Sequence, residues 1–326
     1  MPATATATTN VYFEDQQPAT TDSVAEVIAG LQLNQKRVDP KYFYDAHGSQ
    51  LFEQITQLPE YYPTRTERQI LSDNANDIAA HCGQGCVLIE PGSGSSEKIR
   101  LLLDTLRPSA YVPLDISAEF LYRSAVKLGR EFPWLKIQAI CADFADSWQT
   151  RTTLPEGQRV IFYPGSTIGN MDPAAAEKFL AGLRQWIGND GGVLIGVDLH
   201  KEEHLLNAAY NDAQGVTAEF NLNILNSMNK LINSNFSDQQ FSHRAFYNQT
   251  LQRIEMHLVS DHAQTVNVNG NAIAFDKGET LHTENSYKYT LESFTALSEA
   301  AGFTIKRSWL DDDALFSVHY LSVNPD

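Results

Sequence analysis

"CVLIEPGSGSSEKIR" occupies Cys86–Arg100, and its reading decides the fold. Val87, Leu88 and Ile89 form a short apolar run between Gly85 and Pro91, as in a strand buried on both faces. The run ends in an acid, Glu90, and breaks into Gly92 and Gly94 before a helical pattern, "SEKIRLLLDTL", at 96–106. Glycines here let a ligand approach the backbone closely, and a helix opening behind them would offer free N–H groups. The third glycine of G-x-G-x-x-G is missing, since Ser95, Ser96 and Glu97 follow Gly94. Taken alone, the loop reads equally as a structural turn.

The alternation continues downstream. "AYVPLDIS" (110–117), "KIQAICADF" (136–144), "RVIFYPGS" (159–166) and "GVLIGVDL" (192–199) read as strands. "AEFLYRSAVKLGREF" (118–132) reads as a helix, and another opens at Asp172-Pro173, where proline suits the first turn. Strands alternating with helices predict a parallel sheet covered on both faces. Glu90, Asp115 and Asp143 close three successive strands, at the carboxyl edge where such sheets bind ligands. A truncated glycine motif beside strand-end acids does not require a pyrophosphate. It suits S-adenosylmethionine, a phosphate-free sulfonium, better than a dinucleotide. A nicotinamide oxidoreductase is correspondingly disfavoured.

The alternation stops between 201 and 287. A polar helical stretch, "KEEHLLNAAYNDAQGVTAEFNLNILNSMNKLI", gives way to strands, where "VNVNGNAIAF" carries the Asn-Gly signature of a hairpin. The chain closes with a helix, "LESFTALSEAAG", and two strands, "FTIKRSWLDD" and "LFSVHYLSV". The expected organisation is a disordered tail at 1–12 and a mixed α+β substrate lobe from 13–64 and 201–287. A cofactor domain from 65–200 and 288–326 would hold a seven-stranded, Rossmann-like sheet with helices on both faces.

Composition narrows the function classes. The 326 residues are 42% hydrophobic and 20% charged, as in a globular protein. No apolar run approaches the roughly 18 residues of a membrane span. The Ala/Thr-rich start lacks the basic and apolar regions of a secretory signal. Net charge is −16, which repels phosphate backbones and anionic lipid, so neither nucleic acid nor membrane is an expected partner. The odd set Cys82, Cys86 and Cys141 argues for a reducing cytoplasm, and no second pair completes a zinc site. His200 and His204 stand i,i+4 without the glutamate of HExxH, so no metal is expected. A monomer is expected.

Several stretches coincide with one family. "YFYDAHGSQLFEQITQLPEYYPTRTE" (42–67), "EPGSGSSEK" (90–98), "FYPGSTIGNMDP" (162–173), "AAYNDAQGVTAEFNLNIL" (208–225), "RIEMHL" (253–258) and "TENSYKY" (283–289) carry the likeness. The chain resembles the histidine-specific, S-adenosylmethionine-dependent Nα-methyltransferases of ergothioneine biosynthesis from about residue 25 onward. Pro91 departs from the apolar residue expected there but leaves both glycines in place. The resemblance implies a class I methyltransferase fold and trimethylation of the α-amino group of L-histidine to hercynine. It implies that Tyr44, Gly92, Lys98, Asp115, Asp143 and Phe144 touch the methyl donor. Tyr61, Asn170 and Tyr210 would hold the substrate's amino and carboxylate groups, with Gly165 bordering the pocket. Met256, Glu284 and Ser286 would surround the imidazole.

The chemistry of these residues is compatible with those roles. Methyl transfer needs a neutral amine held in line with the sulfonium bond, and burial beside that cation lowers the amine pKa. An Asn170 amide both donates and accepts, as an α-amino acid requires, though the same residue suits an Asx turn or helix cap. Glu284 and Ser286 alternate along a strand and share a face. Together they can read both imidazole nitrogens, whereas an ordinary edge strand would turn them to solvent. Tyr44, Phe52 and Tyr61 could stabilise the methylated ammonium by cation–π attraction, although core packing explains Phe52 as well. Tyr44 is also the candidate base. Rival readings are a methyltransferase of the same plan acting on another amino acid, such as tryptophan, and a non-catalytic metabolite-binding protein.

Overall fold

The strand Val87–Pro91 presents Val87 and Ile89 to one hydrophobic core and Leu88 to another. Period-two alternation between two apolar faces is what a strand in the middle of three layers requires. In the computed structural model, which describes residues 10–16, 20–142 and 153–323, this strand lies inside a sheet of eight. The spatial order is Val11–Asp15, Ile137–Cys141, Ala110–Asp115, Val87–Pro91, Arg159–Tyr163, Gly192–Asp198, Phe316–Val323, Phe303–Leu310. The first six run parallel, and Phe316–Val323 pairs antiparallel with both of its neighbours. Helices Tyr62–Asp73, Ala75–Cys82, Arg100–Leu106 and Ala118–Glu131 supply one face, and Pro173–Ile187 and Leu291–Ala300 the other. The seven expected strands take the order of a class I methyltransferase sheet.

The eighth strand is a correction. Val11–Asp15, read from sequence as the end of a tail and the start of the lobe, pairs in parallel with Ile137–Cys141 on the sheet edge. Asn10 fastens it: Nδ2 reaches the carbonyls of Gly129, Phe132 and Leu135 at 3.1, 3.3 and 2.9 Å. The helix expected at 96–106 starts later, at Arg100. Ser96 adopts a left-handed φ of 55°, so the residues after Gly94 form a turn rather than a helix N-terminus.

The polar stretch after 201 is two helices, Glu203–Ala209 and Val216–Ile232. Gly215, at φ 77°, breaks them, and Asp212 accepts from the amides of Val216 (3.0 Å) and Thr217 (2.8 Å) to start the second. The lobe sheet runs Lys36–Arg37, Thr280–Tyr287, Arg253–Ser260, Phe241–Asn248. The hairpin Gln264–Val268/Asn271–Phe275 turns on Asn269 and Gly270, both at positive φ. One core joins Val27, Phe43, Leu51 and Tyr62 to Phe220, Met256, Leu258 and Leu281, so early and late segments pack as one body.

The short 3-10 turn Thr167–Asn170 abuts the strand Thr280–Tyr287. A Cβ on Gly169 would lie 2.9 Å from the Tyr287 carbonyl oxygen. Gly169→Ala is therefore expected to destabilise the fold by about 1–3 kcal/mol, read as a lower urea midpoint; an unchanged midpoint would mean the turn shifts freely.

Candidate active site

Gly92 and Gly94 adopt positive φ values of 69° and 51°. A Cβ on Gly94 would meet no atom within 4 Å, so the loop leaves open space above its backbone. Asp115, at its strand end, accepts from the amides of Gly94 (2.9 Å) and Ser117 (3.0 Å). Burial raises its pKa and these amides oppose the rise. Glu90 is buried and takes the Tyr111 hydroxyl; burial pushes its pKa up to about 8. Asp143 and Phe144 lie outside the described residues.

Lys98 pairs with buried Glu67, whose two oxygens also accept the Gly165 amide at 2.9 and 3.0 Å. The lysine thus has a protein counter-ion rather than a carboxylate-seeking free end. Glu67 lies so close to the strand Gly192–Asp198 that a Cβ on Gly196 would sit 1.9 Å from its Oε1. Sequence reasoning missed Glu67, because "TERQ" reads as an exposed helix face.

Tyr44, Phe52, Gly92, Lys98, Asp115, Gly165 and Asn170 line one cavity of about 2100 Å³. Asn170 enters from the end of its 3-10 turn, and Asp172 caps the following helix through the Ala175 amide (2.9 Å). Tyr61, Tyr210, Met256, Glu284 and Ser286 lie outside that wall. They continue from it through edge-on rings: Tyr44–Phe52 at 5.8 Å, Phe52–Tyr61 at 6.3 Å and Tyr61–Tyr210 at 6.1 Å. The Tyr210 hydroxyl donates to Ser286 Oγ at 2.8 Å. Met256 is fully buried in the lobe core and stands opposite Glu284 in the strand pairing, on the same face.

The Glu284 carboxylate, half-buried, has no hydrogen-bond partner among the described residues. Burial raises its pKa to about 7, with the Lys288 charge pulling it down. Burial, and then the Glu284 charge, holds the Tyr44 phenol well above its ordinary pKa. A carboxylate beside a phenol disfavours its ionisation, which weighs against Tyr44 as a base.

Behind Ser286 lies a cluster that sequence reasoning did not anticipate. Asp198 ends the strand Gly192–Asp198 and is 1% exposed. It binds Lys288 Nζ at 2.7 Å, Lys201 Nζ at 2.6 Å and the Tyr62 hydroxyl at 2.8 Å. The two ammonium groups hold its carboxyl below the ordinary range despite burial. Burial lowers the Lys201 pKa to about 8, against the pull of Asp198. The signal was available for Asp198, another acid closing a strand, but not for Lys288, which reads as a solvent-facing lysine.

Residues 23–323 match the family described as "Histidine-specific methyltransferase, SAM-dependent". The chain belongs to that family. It is 40% identical over 300 residues to a histidine N-alpha-methyltransferase of Mycobacterium tuberculosis, covering 90% of this chain and 92% of the relative. The corresponding protein of Mycolicibacterium smegmatis is 40% identical over 302 residues, covering 89% and 93%. Ergothioneine biosynthesis protein 1 of Neurospora crassa is 30% identical over 287 residues, covering 82% of this chain and 31% of that longer protein.

Two further features of this histidine-specific methyltransferase bear on its chemistry. His200 precedes the helix that contains His204, so the two are not stacked on one helix. Glu255, His257 and His282 bring ligand atoms within 4.8 Å of one another. The two rings stack at 4.5 Å and 13°, and Glu255 already binds Arg253 at 2.7 Å and His257 Nε2 at 2.9 Å. The second feature is Glu67. Glu67→Ala would leave Lys98 without its counter-ion and the Gly165 amide without an acceptor. A loss of about 3 kcal/mol in denaturant unfolding is expected; an unchanged midpoint would show that Lys98 escapes to water.

Proposed function

We propose that the protein transfers three methyl groups from S-adenosylmethionine to the α-amino nitrogen of L-histidine. The product is hercynine, and the step belongs to ergothioneine biosynthesis. Family membership and the two relatives at 40% identity support this reading. The observation that carries the substrate choice is Glu284, a half-buried carboxylate with no side-chain hydrogen-bond partner among the described residues, on one strand face with Ser286. Such a group asks for a ligand that brings its own N–H. An indole would leave the remaining carboxylate lone pairs and the serine without partners, which disfavours tryptophan.

The open backbone at Gly94 and the acid at Asp115 fit the methyl donor, whose sulfonium supplies an activated methyl carbon. Gly92 and Lys98 complete that wall, with Lys98 acting through its pair with Glu67. Asn170, Tyr61 and Tyr210 orient the amino acid's charged end. Asn170 has one donor and one acceptor for the ammonium and carboxylate. Tyr44, Phe52 and Tyr61 give the increasingly cationic nitrogen aromatic neighbours, each contributing about 0.5–2 kcal/mol. A second positive charge nearby lowers the amine pKa, so its proton can leave to water without a strong protein base. The reading includes a cytoplasmic monomer, with buried free cysteines in keeping with a reducing compartment. Among the described residues no helix is long and apolar enough to cross a membrane.

A panel of twenty amino acids with isotopically labelled methyl donor, read by mass spectrometry, tests this. Histidine is expected to gain three methyl groups; preference for another amino acid, or binding without any mass shift, overturns the proposal. Glu284→Ala should raise the histidine KM about 10- to 100-fold, since one charged hydrogen bond is worth about 1.5–3 kcal/mol. Ionised Glu284 accepts from the ring N–H about twice as strongly as the protonated acid would, so histidine affinity should rise as pH climbs through about 7. Titration calorimetry across pH 6–8 would detect this limb, and Glu284→Gln should abolish it.

A further inference from the structure

Ser286 Oγ has two neighbours that donate to it. Lys288 Nζ lies 2.6 Å away and the Tyr210 hydroxyl 2.8 Å away. A lysine ammonium can only donate, and a serine oxygen offers two lone pairs and one hydrogen. With both lone pairs filled, the serine's own hydrogen finds no acceptor in this cluster. It is left for the side where Glu284 stands, two residues earlier on the same strand face. Lys288 cannot swing away: its side chain has no solvent exposure, and Asp198 holds it at 2.7 Å. Asp198 is fixed in turn by Lys201 and Tyr62. Lys288 also approaches the Tyr210 oxygen at 3.5 Å and lies 5.2 Å from its ring centre.

We propose that Lys288 is a positioning residue that turns Ser286 into an obligate hydrogen-bond donor and thereby selects one neutral tautomer of the substrate ring. Ser286 donates to the bare ring nitrogen, and Glu284 accepts from the ring N–H. The pair therefore requires a ring with one donor and one acceptor in that order, not merely a flat ring of the right size. This rests on the histidine reading above and adds to it a residue that touches no substrate.

The test uses ring analogues on the full-length protein. 4-Thiazolylalanine and 5-thiazolylalanine each keep one bare ring nitrogen, in the two alternative positions, and lack the N–H. 2-Thienylalanine keeps neither. The wild-type protein should bind the better thiazolyl compound about tenfold more tightly than thienylalanine, by calorimetry with methyl donor present. Lys288→Met should bring that ratio close to one, because the serine hydrogen is then free to turn elsewhere. A merely structural role would weaken both analogues together and leave the ratio intact, which overturns the proposal. Lys288→Arg, which still donates, should retain most of the preference. Ser286→Ala provides the second route should the methionine variant fail to fold: the ratio must collapse there too, and a preserved ratio sinks the proposal. Failure of histidine methylation in the wild type would instead strike the functional reading itself.

Discussion

The carboxylate of Asp198 is the point on which the two halves of the molecule hang. It sits at the rim of the large sheet, yet one of its ammonium partners, Lys288, arrives just past the last strand of the lobe. The backbone repeats the connection, with the Tyr289 amide on the Asp198 carbonyl at 3.2 Å and the His200 amide on the Tyr289 carbonyl at 2.8 Å. Taking charges out of water costs several kcal/mol per ion unless each is paired and fully hydrogen-bonded. Here the cluster is complete only with residues from both halves. That makes the placement of Glu284 and Ser286 relative to Asn170 a matter of electrostatics as well as packing.

Three carboxylates in this region are held in different states by their neighbours. Asp198, between two ammonium groups, is driven toward ionisation. Glu90, with one phenol and a distant lysine, is pushed up to about 8 and stays largely protonated near neutrality. Glu284 stands between them at about 7. The same functional group is thus held at different points of its titration by burial and by the cations it faces.

Much of this was legible in the sequence, for physical reasons that also mark the limits. Val87–Ile89 and its parallel counterparts stand out because central strands bury both faces and need unbroken apolar runs. Asn269-Gly270 announces its hairpin because few other pairs tolerate two consecutive positive φ values. Val11–Asp15 escaped notice: five residues with Tyr12 largely exposed carry little apolar signal, and their strand identity comes from pairing with a distant segment. The delayed helix at Arg100 depends on Ser96 lying near Tyr111 and Glu90, which no local pattern encodes. At the site, Asn170 and Glu284 could be picked out by type and placement. Glu67, Lys201 and Lys288 could not, because a buried charge betrays itself only through partners far away in the chain.

The lobe's small sheet pairs Lys36–Arg37 with Leu281–His282. Its first strand is therefore synthesised long before the partner it must lie against, and closing such a distant loop is entropically slow. On the ribosome, the glycine loop and its neighbouring strands can assemble while the amino-acid chamber is still missing a wall. The emerging chain must carry Phe43, Tyr44 and Phe52 uncovered until the helix Val216–Ile232 brings Phe220 against them, which exposes the nascent protein to chaperones and to aggregation for much of its translation.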